Sequence, residues 1–154
     1  MIKIILITTF LLSAILSSSA FAQNAEDIIK YRINIMKSLG NHISIIAANL
    51  KGKVSINEDI LPHSQSMLLT LSSINIEKIF PINTQASDSP KTKSLDSIWV
   101  EKELFQKSML QSIEKTKDLV KAAESGNNQN IAKSLGALGK SCGACHDKFR
   151  KKKN

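Results

Sequence analysis

Apolar residues recur at intervals of three and four through four long stretches of this chain, and turn-forming residues gather in the gaps at Lys51 to Asn57, Pro81 to Ser94 and Ser125 to Asn130. That period is the period of a helix with one buried face; strict alternation, the mark of a half-buried strand, is missing. The first helix is predicted from about Ala25 to Leu50, with Ile28, Ile35, Met36, Leu39, Ile43, Ile46 and Leu50 on its stripe. Asn24 is its N-cap, Glu26 and Asp27 suit its first turn, and Lys51-Gly52 closes it. A second helix starts near Asn57 and Glu58, tolerates Pro62 in its first turn, and carries Ile60, Met67, Leu68, Leu71 and Ile74. A third starts after Pro90, near Ser94 to Asp96, carries Ile98, Trp99, Phe105, Met109, Ile113 and Val120, and stops at Ser125-Gly126. The fourth begins at Asn128 and carries Ile131, Leu135, Leu138, Cys142, Cys145 and Phe149. Four amphipathic helices joined by three loops predict an all-α, antiparallel, up-down-up-down four-helix bundle. The connection from Pro81 to Ser94 is the longest and is expected to be the most variable in conformation.

The first segment stands outside that pattern. Lys3 is followed by an almost unbroken apolar run from Ile4 to Ile15, and Ala20-Phe21-Ala22 fits a small-residue cleavage site. Met1 to Ala22 therefore reads as a secretory signal peptide, too short in its apolar run for a stable span of about 20 residues. Its removal after Ala22 leaves residues 23–154 as a single domain, with no membrane span and a periplasmic location. At 42% hydrophobic residues the chain has ample material for a core and is not a disordered sequence. Only five aromatic residues lie beyond the signal, so the core is mostly aliphatic or is completed by something other than side chains.

The two cysteines are Cys142 and Cys145, with His146 directly after the second. In an exported chain two cysteines ordinarily suggest a disulfide, but a bridge this short in sequence constrains little. A redox C-x-x-C belongs beside a βαβ pattern, and a structural zinc needs four ligands; neither is present in the sequence. What remains is C-x-x-C-H, the haem-attachment motif. Two thiols one helical turn apart can add to the two vinyl groups along one edge of a haem, and the adjoining imidazole can then reach the iron. Gly136, Gly139 and Gly143 fall on one face of the same helix, close to the stripe of Cys142 and His146. Each costs about 1 kcal/mol relative to Ala in a helix interior. Close approach of a flat ring accounts for them, and a helix crossing through small residues is the competing account. The cleft for that ring is expected between the first and fourth helices, with Met36 and His146 on opposite walls.

On the first helix Arg32 sits at the centre of the apolar stripe. A guanidinium there needs an anion, which haem propionates would supply, or else it snorkels at the bundle end. Met36 follows one turn later; its thioether is either a distal iron ligand or core packing. His42 and His63 read as surface or bundle-end histidines.

These residues resemble the class II cytochromes c, the cytochrome c′ family, over essentially the whole chain beyond the signal. The resemblance rests on Glu26-Asp27, Lys30-Tyr31-Arg32, Met36, Gly40, His42, Lys51-Gly52, Ile98-Trp99, and above all Gly139-Lys140-Ser141-Cys142-Gly143-Ala144-Cys145-His146-Asp147 with Phe149-Arg150. Ser55-Ile56 and Asp96-Ser97 depart from the family's usual loop residues. The resemblance implies one haem c held by thioethers from Cys142 and Cys145, His146 as proximal ligand, Arg32 at a propionate, and Arg150 beside the proximal imidazole. It puts Met36 at the distal position. Low-spin electron carriers of the family have a ligating Met there, gas-binding members have an apolar side chain that leaves the iron open, and some open members carry an unbound Met. It also implies either a monomer or a homodimer through the first two helices.

Two functions follow. With Met36 on the iron the chain is an electron carrier; with Met36 unbound it takes NO or CO at an open site. Sequence favours the carrier, because Met36 is present and Arg32 would fix the haem edge. No paired carboxylates, Ser-His-Asp set or phosphate-binding loop suggests an enzyme. The formal charge is +8, and from Lys140 to Asn154 six Lys or Arg face a single Asp. Gathered beside the haem motif of an exported chain, that charge suits an acidic redox partner and not nucleic acid, or else is a solvated tail.

Overall fold

The computed structural model describes residues 24–89 and 91–152. The segment 1–22, expected to be a signal peptide, and the residue Pro90 lie outside the described residues. Helices α1 (Ala25–Leu50), α2 (Ile60–Ser72), α3 (Ile76–Ile79), α4 (Ser97–Val100), α5 (Lys102–Glu124) and α6 (Asn128–Phe149) follow in order, with a 3₁₀ turn at Asn57–Asp59 leading into α2. α1, α2, α5 and α6 are the four long elements of the expected antiparallel up-down-up-down bundle. α2 packs on α1, α5 on α2, and α6 lies closely along α5, whereas α6 touches α1 only sparingly.

Local chemistry sets the helix ends. The Asn24 side chain accepts from the backbone N–H of Glu26 at 3.1 Å and opens α1. Glu26 and Asp27 sit at the positive end of the helix dipole. Gly52 adopts φ +65°, which lets the N–H of Lys53 reach back to the Ala48 carbonyl at 3.0 Å. Asn127 caps α6 through the N–H of Asn130 at 3.0 Å.

The core is aliphatic along most of its length: Leu39 and Ile46 from α1, Met67 and Leu71 from α2, Met109 and Leu119 from α5, Ile131 and Leu138 from α6. Two features depart from the sequence expectation. The third helix breaks at Glu101 (φ −112°, ψ 49°) into α4 and α5. The buried face of α5 then runs through Ser112, Thr116 and Leu119 instead of ending on Val120. Ser112 and Thr116 tolerate burial because their hydroxyls donate to the carbonyls of Ser108 (3.1 Å) and Thr116's own upstream neighbour Ser112 (2.8 Å).

Four of the five aromatic residues gather at one end. Phe80 meets Trp99 and Phe105 edge-on, with ring centroids 6.1 and 5.0 Å away, and Phe105 meets Phe149 at 5.1 Å. This is the end where α1 begins, α6 finishes, and the long connection crosses. The far end of that connection is tied to α6. The N–H of Leu95 donates to the Phe149 carbonyl (3.0 Å) and that of Lys151 to the Lys93 carbonyl (2.8 Å), so the end of α6 is stitched to it on both sides of an isolated bridge between Ser94 and Arg150. Lys148 reaches Glu101 at 2.7 Å, and Lys91 reaches Glu26 at 2.8 Å.

Candidate haem site

Cys142, Cys145 and His146 lie in the last two turns of α6, an element uninterrupted from Asn128 to Phe149. Both cysteines are free thiols, half-buried and packed against the aliphatic core. Burial, and then the neighbouring Cys142, pushes the Cys145 thiol up to about 11. Burial raises Cys142 as well, partly offset by a hydrogen bond with Ser112. Raised thiols are the reverse of the low-pKa thiolate that a redox C-x-x-C needs, so that reading fails on electrostatics as well as on fold. His146 is exposed. Partial desolvation, and second the charge of Arg150, hold its imidazole below the ordinary value, so it is neutral at pH 7, the form that ligates iron. Arg150 closes α6, its N–H donating to the His146 carbonyl at 3.0 Å, and stays exposed.

Glycine positions decide between the two accounts of the small-residue face. A Cβ placed on Gly136, Gly139 or Gly143 would meet nothing within 4 Å. These residues are therefore not at a helix crossing, and the surface beside the motif is open backbone. Together with the sparing contact between α6 and α1, this leaves room for a flat group lying against α6. Two surface clefts lie elsewhere: one of about 510 Å³ around Trp99 and Leu104, and one of about 370 Å³ around Leu71 and Ile113. Neither is lined by Met36 or His146, so the expected opposition of those two residues is not one of these clefts.

On α1, Met36 is half-buried and packs against the core. Arg32 is 2% exposed, so it does not snorkel. Its NH1 donates to the Ile79 carbonyl and to Thr84 Oγ1, both at 3.0 Å; its NH2 donates to the Thr84 carbonyl at 2.8 Å and to Thr92 Oγ1 at 2.9 Å. The guanidinium lies 4.6 Å over the Phe80 ring. Of five N–H donors only Nε–H is left, buried and without a partner. Burial pulls the Arg32 pKa down to about 10, still far above neutrality, so a full positive charge sits among neutral acceptors. The fork expected for an anion is spent on the connection between α3 and α4, and a single donor remains for a carboxylate. Thr84 and Thr92 were not singled out by sequence; both are buried, and only the partner they find some fifty to sixty residues away gives them meaning.

His42 and His63 do meet: their Nδ1 atoms are 2.8 Å apart between α1 and α2. Among the described residues no three or more His, Cys, Asp or Glu come together as a metal site, and no helix is long and apolar enough to cross a membrane.

Two thiols a turn apart, a neutral imidazole beside them and an open glycine face fit a haem, and the Arg32 guanidinium keeps one buried N–H unpartnered. Comparison with known proteins gives the same answer. The family model described as cytochrome C′ matches residues 27–150. A cytochrome c′ from Pararhodospirillum photometricum is 28% identical over 125 residues, covering 81% of this chain and 97% of the relative. A cytochrome c-554 from Cereibacter sphaeroides is 22% identical over 144 residues, 94% of each chain. The solved cytochrome c′ from Rhodobacter Spheriodes superposes with a TM-score of 0.79 at 23% identity, over 84% of this chain and 99% of that one. The chain belongs to the cytochrome c′ family and is a cytochrome with one covalently bound haem c.

Proposed function

We propose that this cytochrome is a gas-binding protein: Cys142 and Cys145 anchor the haem, His146 holds the iron from the proximal side, and the distal position stays open to NO or CO. The family match over 27–150, with relatives named cytochrome c′, carries this reading over electron transfer through a Met36-ligated iron. One solved relative, a variant of cytochrome c prime from Alcaligenes xylosoxidans, is a nitric oxide complex. The iron supplies the affinity for the diatomic ligand. The chain would supply the rest: the turn closed by Arg150 would hold the imidazole, the open glycine face of α6 would take the ring, and aliphatic core groups would shield it from water. On this reading the chain is not an enzyme.

Export rests on Met1 to Ala22 and takes the mature chain to the periplasm. The basic surface of Lys140, Arg150 and Lys151 beside the motif suits an acidic redox protein that re-reduces the iron. A second copy docked through α1 and α2 is the other partner; exposed Tyr31, Ile45 and Leu69 give those helices apolar surface.

Resonance Raman scattering of the reduced protein tests the reading. Five-coordinate high-spin markers are expected. A six-coordinate low-spin spectrum that turns high-spin in Met36→Leu returns the electron-carrier reading. Acid-acetone extraction tests the anchors: the double variant Cys142→Ser with Cys145→Ser releases its haem, and the unmodified protein retains it.

A further inference from the structure

Neither the haem nor the core accounts for the histidine pair. His42 from α1 and His63 from α2 stand with Nδ1 atoms 2.8 Å apart, ring centroids 5.0 Å apart and ring planes at 49°. Both side chains are half-buried, so one edge of the pair faces water. A hydrogen bond across that gap requires one ring to carry a proton on Nδ1 and the other to accept it. Moving that proton from Nδ1 to Nε2 of the donor ring leaves two neutral imidazole Nδ1 lone pairs facing one gap.

The separation suits ligation of one ion by both rings. Two nitrogens bound at about 2.0 Å lie about 2.8 Å apart when they subtend about 90°, as in a tetragonal site, and about 3.3 Å apart in a tetrahedral one. The 2.8 Å between the two rings is an ordinary hydrogen-bond distance, and small ring rotations carry it to the span either geometry needs. Imidazole also ranks copper(II) highest among the divalent first-row ions.

The geometry points to a copper(II) site that bridges α1 and α2 through Nδ1 of His42 and Nδ1 of His63, with water in the remaining positions. Binding requires the donor ring to change tautomer, its proton passing by way of solvent from Nδ1 to Nε2, and each ring turns to aim its lone pair at a point off the Nδ1–Nδ1 line. The site lies on two helices that do not carry the C-x-x-C-H motif, and it is independent of whether the haem iron is open. A bound ion joins residues of two helices that separate on unfolding, so it stabilises the folded chain in proportion to its concentration.

The test is copper(II) titration of the haem-loaded protein, free of any affinity tag, by calorimetry and electron paramagnetic resonance. The expected result is one tight copper per chain with nitrogen couplings from two imidazoles, and a rise in thermal midpoint. His42→Gln and His63→Gln each weaken binding tenfold or more, with an unchanged haem spectrum reporting an intact fold. Zinc(II) binds more weakly than copper(II). A copper spectrum without imidazole couplings, no binding at about 100 µM copper, or either variant binding as tightly as the parent overturns the site. The unmodified protein's spectrum decides the matter even where a variant misfolds.

Discussion

Arg32 on α1 grips Thr84 by both of its oxygens, the side-chain Oγ1 at 3.0 Å and the backbone carbonyl at 2.8 Å. Thr84 Oγ1 passes the contact on, donating to the Pro81 carbonyl at 2.7 Å. Thr92 Oγ1, also held by Arg32, accepts from the N–H of Ser94 at 3.1 Å, next to the bridge that ends α6. One buried guanidinium thus links the first helix, the long connection and the end of the haem-bearing helix.

Removing that guanidinium strands the carbonyls of Ile79 and Thr84 in the interior. Arg32→Met is expected to lower stability by about 2–5 kcal/mol, the cost of leaving buried acceptors unpaired. Arg32→Lys restores only part of it, since an ammonium has three donors and no planar fork. Urea unfolding of the haem-loaded protein measures both. Equal loss in the two variants would mean that the bond pattern does not matter.

Glu26 gives the bundle a pH dependence of known sign. Hydrogen bonds from Lys91 first, then Lys30, with their charges, hold its carboxyl below the ordinary 4.5. The folded chain therefore binds fewer protons than the unfolded chain at mildly acid pH, and stability rises with pH through that range. The contribution is fully present above about pH 4.5 and is lost as pH falls through the lowered value. Glu26→Gln is expected to be less stable than the parent at pH 7 and to match it in strong acid. Thermal midpoints from pH 3 to pH 7 check this, and a constant difference across the range would exclude the assignment. The size is small, because the pair is exposed.

Gly139 lies about 20° around α6 from His146, two turns before it. With nothing within 4 Å of its Cβ position, a side chain there meets only the space assigned to the ring. Gly139→Leu should leave the helix content of the haem-free chain unchanged and cut haem incorporation several-fold, read from the haem-to-protein absorbance ratio. Full incorporation would move the ring off this face.

What sequence conveyed best is what depends on short intervals. The caps at Asn24 and Gly52, the stripes of α1 and α6 and the attachment motif are all set within a few residues, and each stands where the period puts it. The open glycine face followed from the same arithmetic. What failed depends on partners remote in the chain. Arg32 was legible as a core-facing cation, but its acceptors lie 47 to 60 residues on, in a connection with no period of its own. The break at Glu101 hides because Ile98 and Trp99 continue the apolar stripe, while Trp99 actually donates to the Phe80 carbonyl at 2.9 Å. Leu119 was displaced by Val120 because Ser112 and Thr116 look polar until their hydroxyls are seen bonding along the helix. His42 and His63 are unremarkable singly, and only the register of α1 against α2 makes them a pair.

The most direct test of the open distal site is the absorption spectrum of the dithionite-reduced protein before and after carbon monoxide. The account predicts a broad high-spin Soret band that sharpens and shifts when the gas is added, in the unmodified protein and in Met36→Leu alike. A sharp low-spin reduced spectrum, unchanged by carbon monoxide, would contradict it.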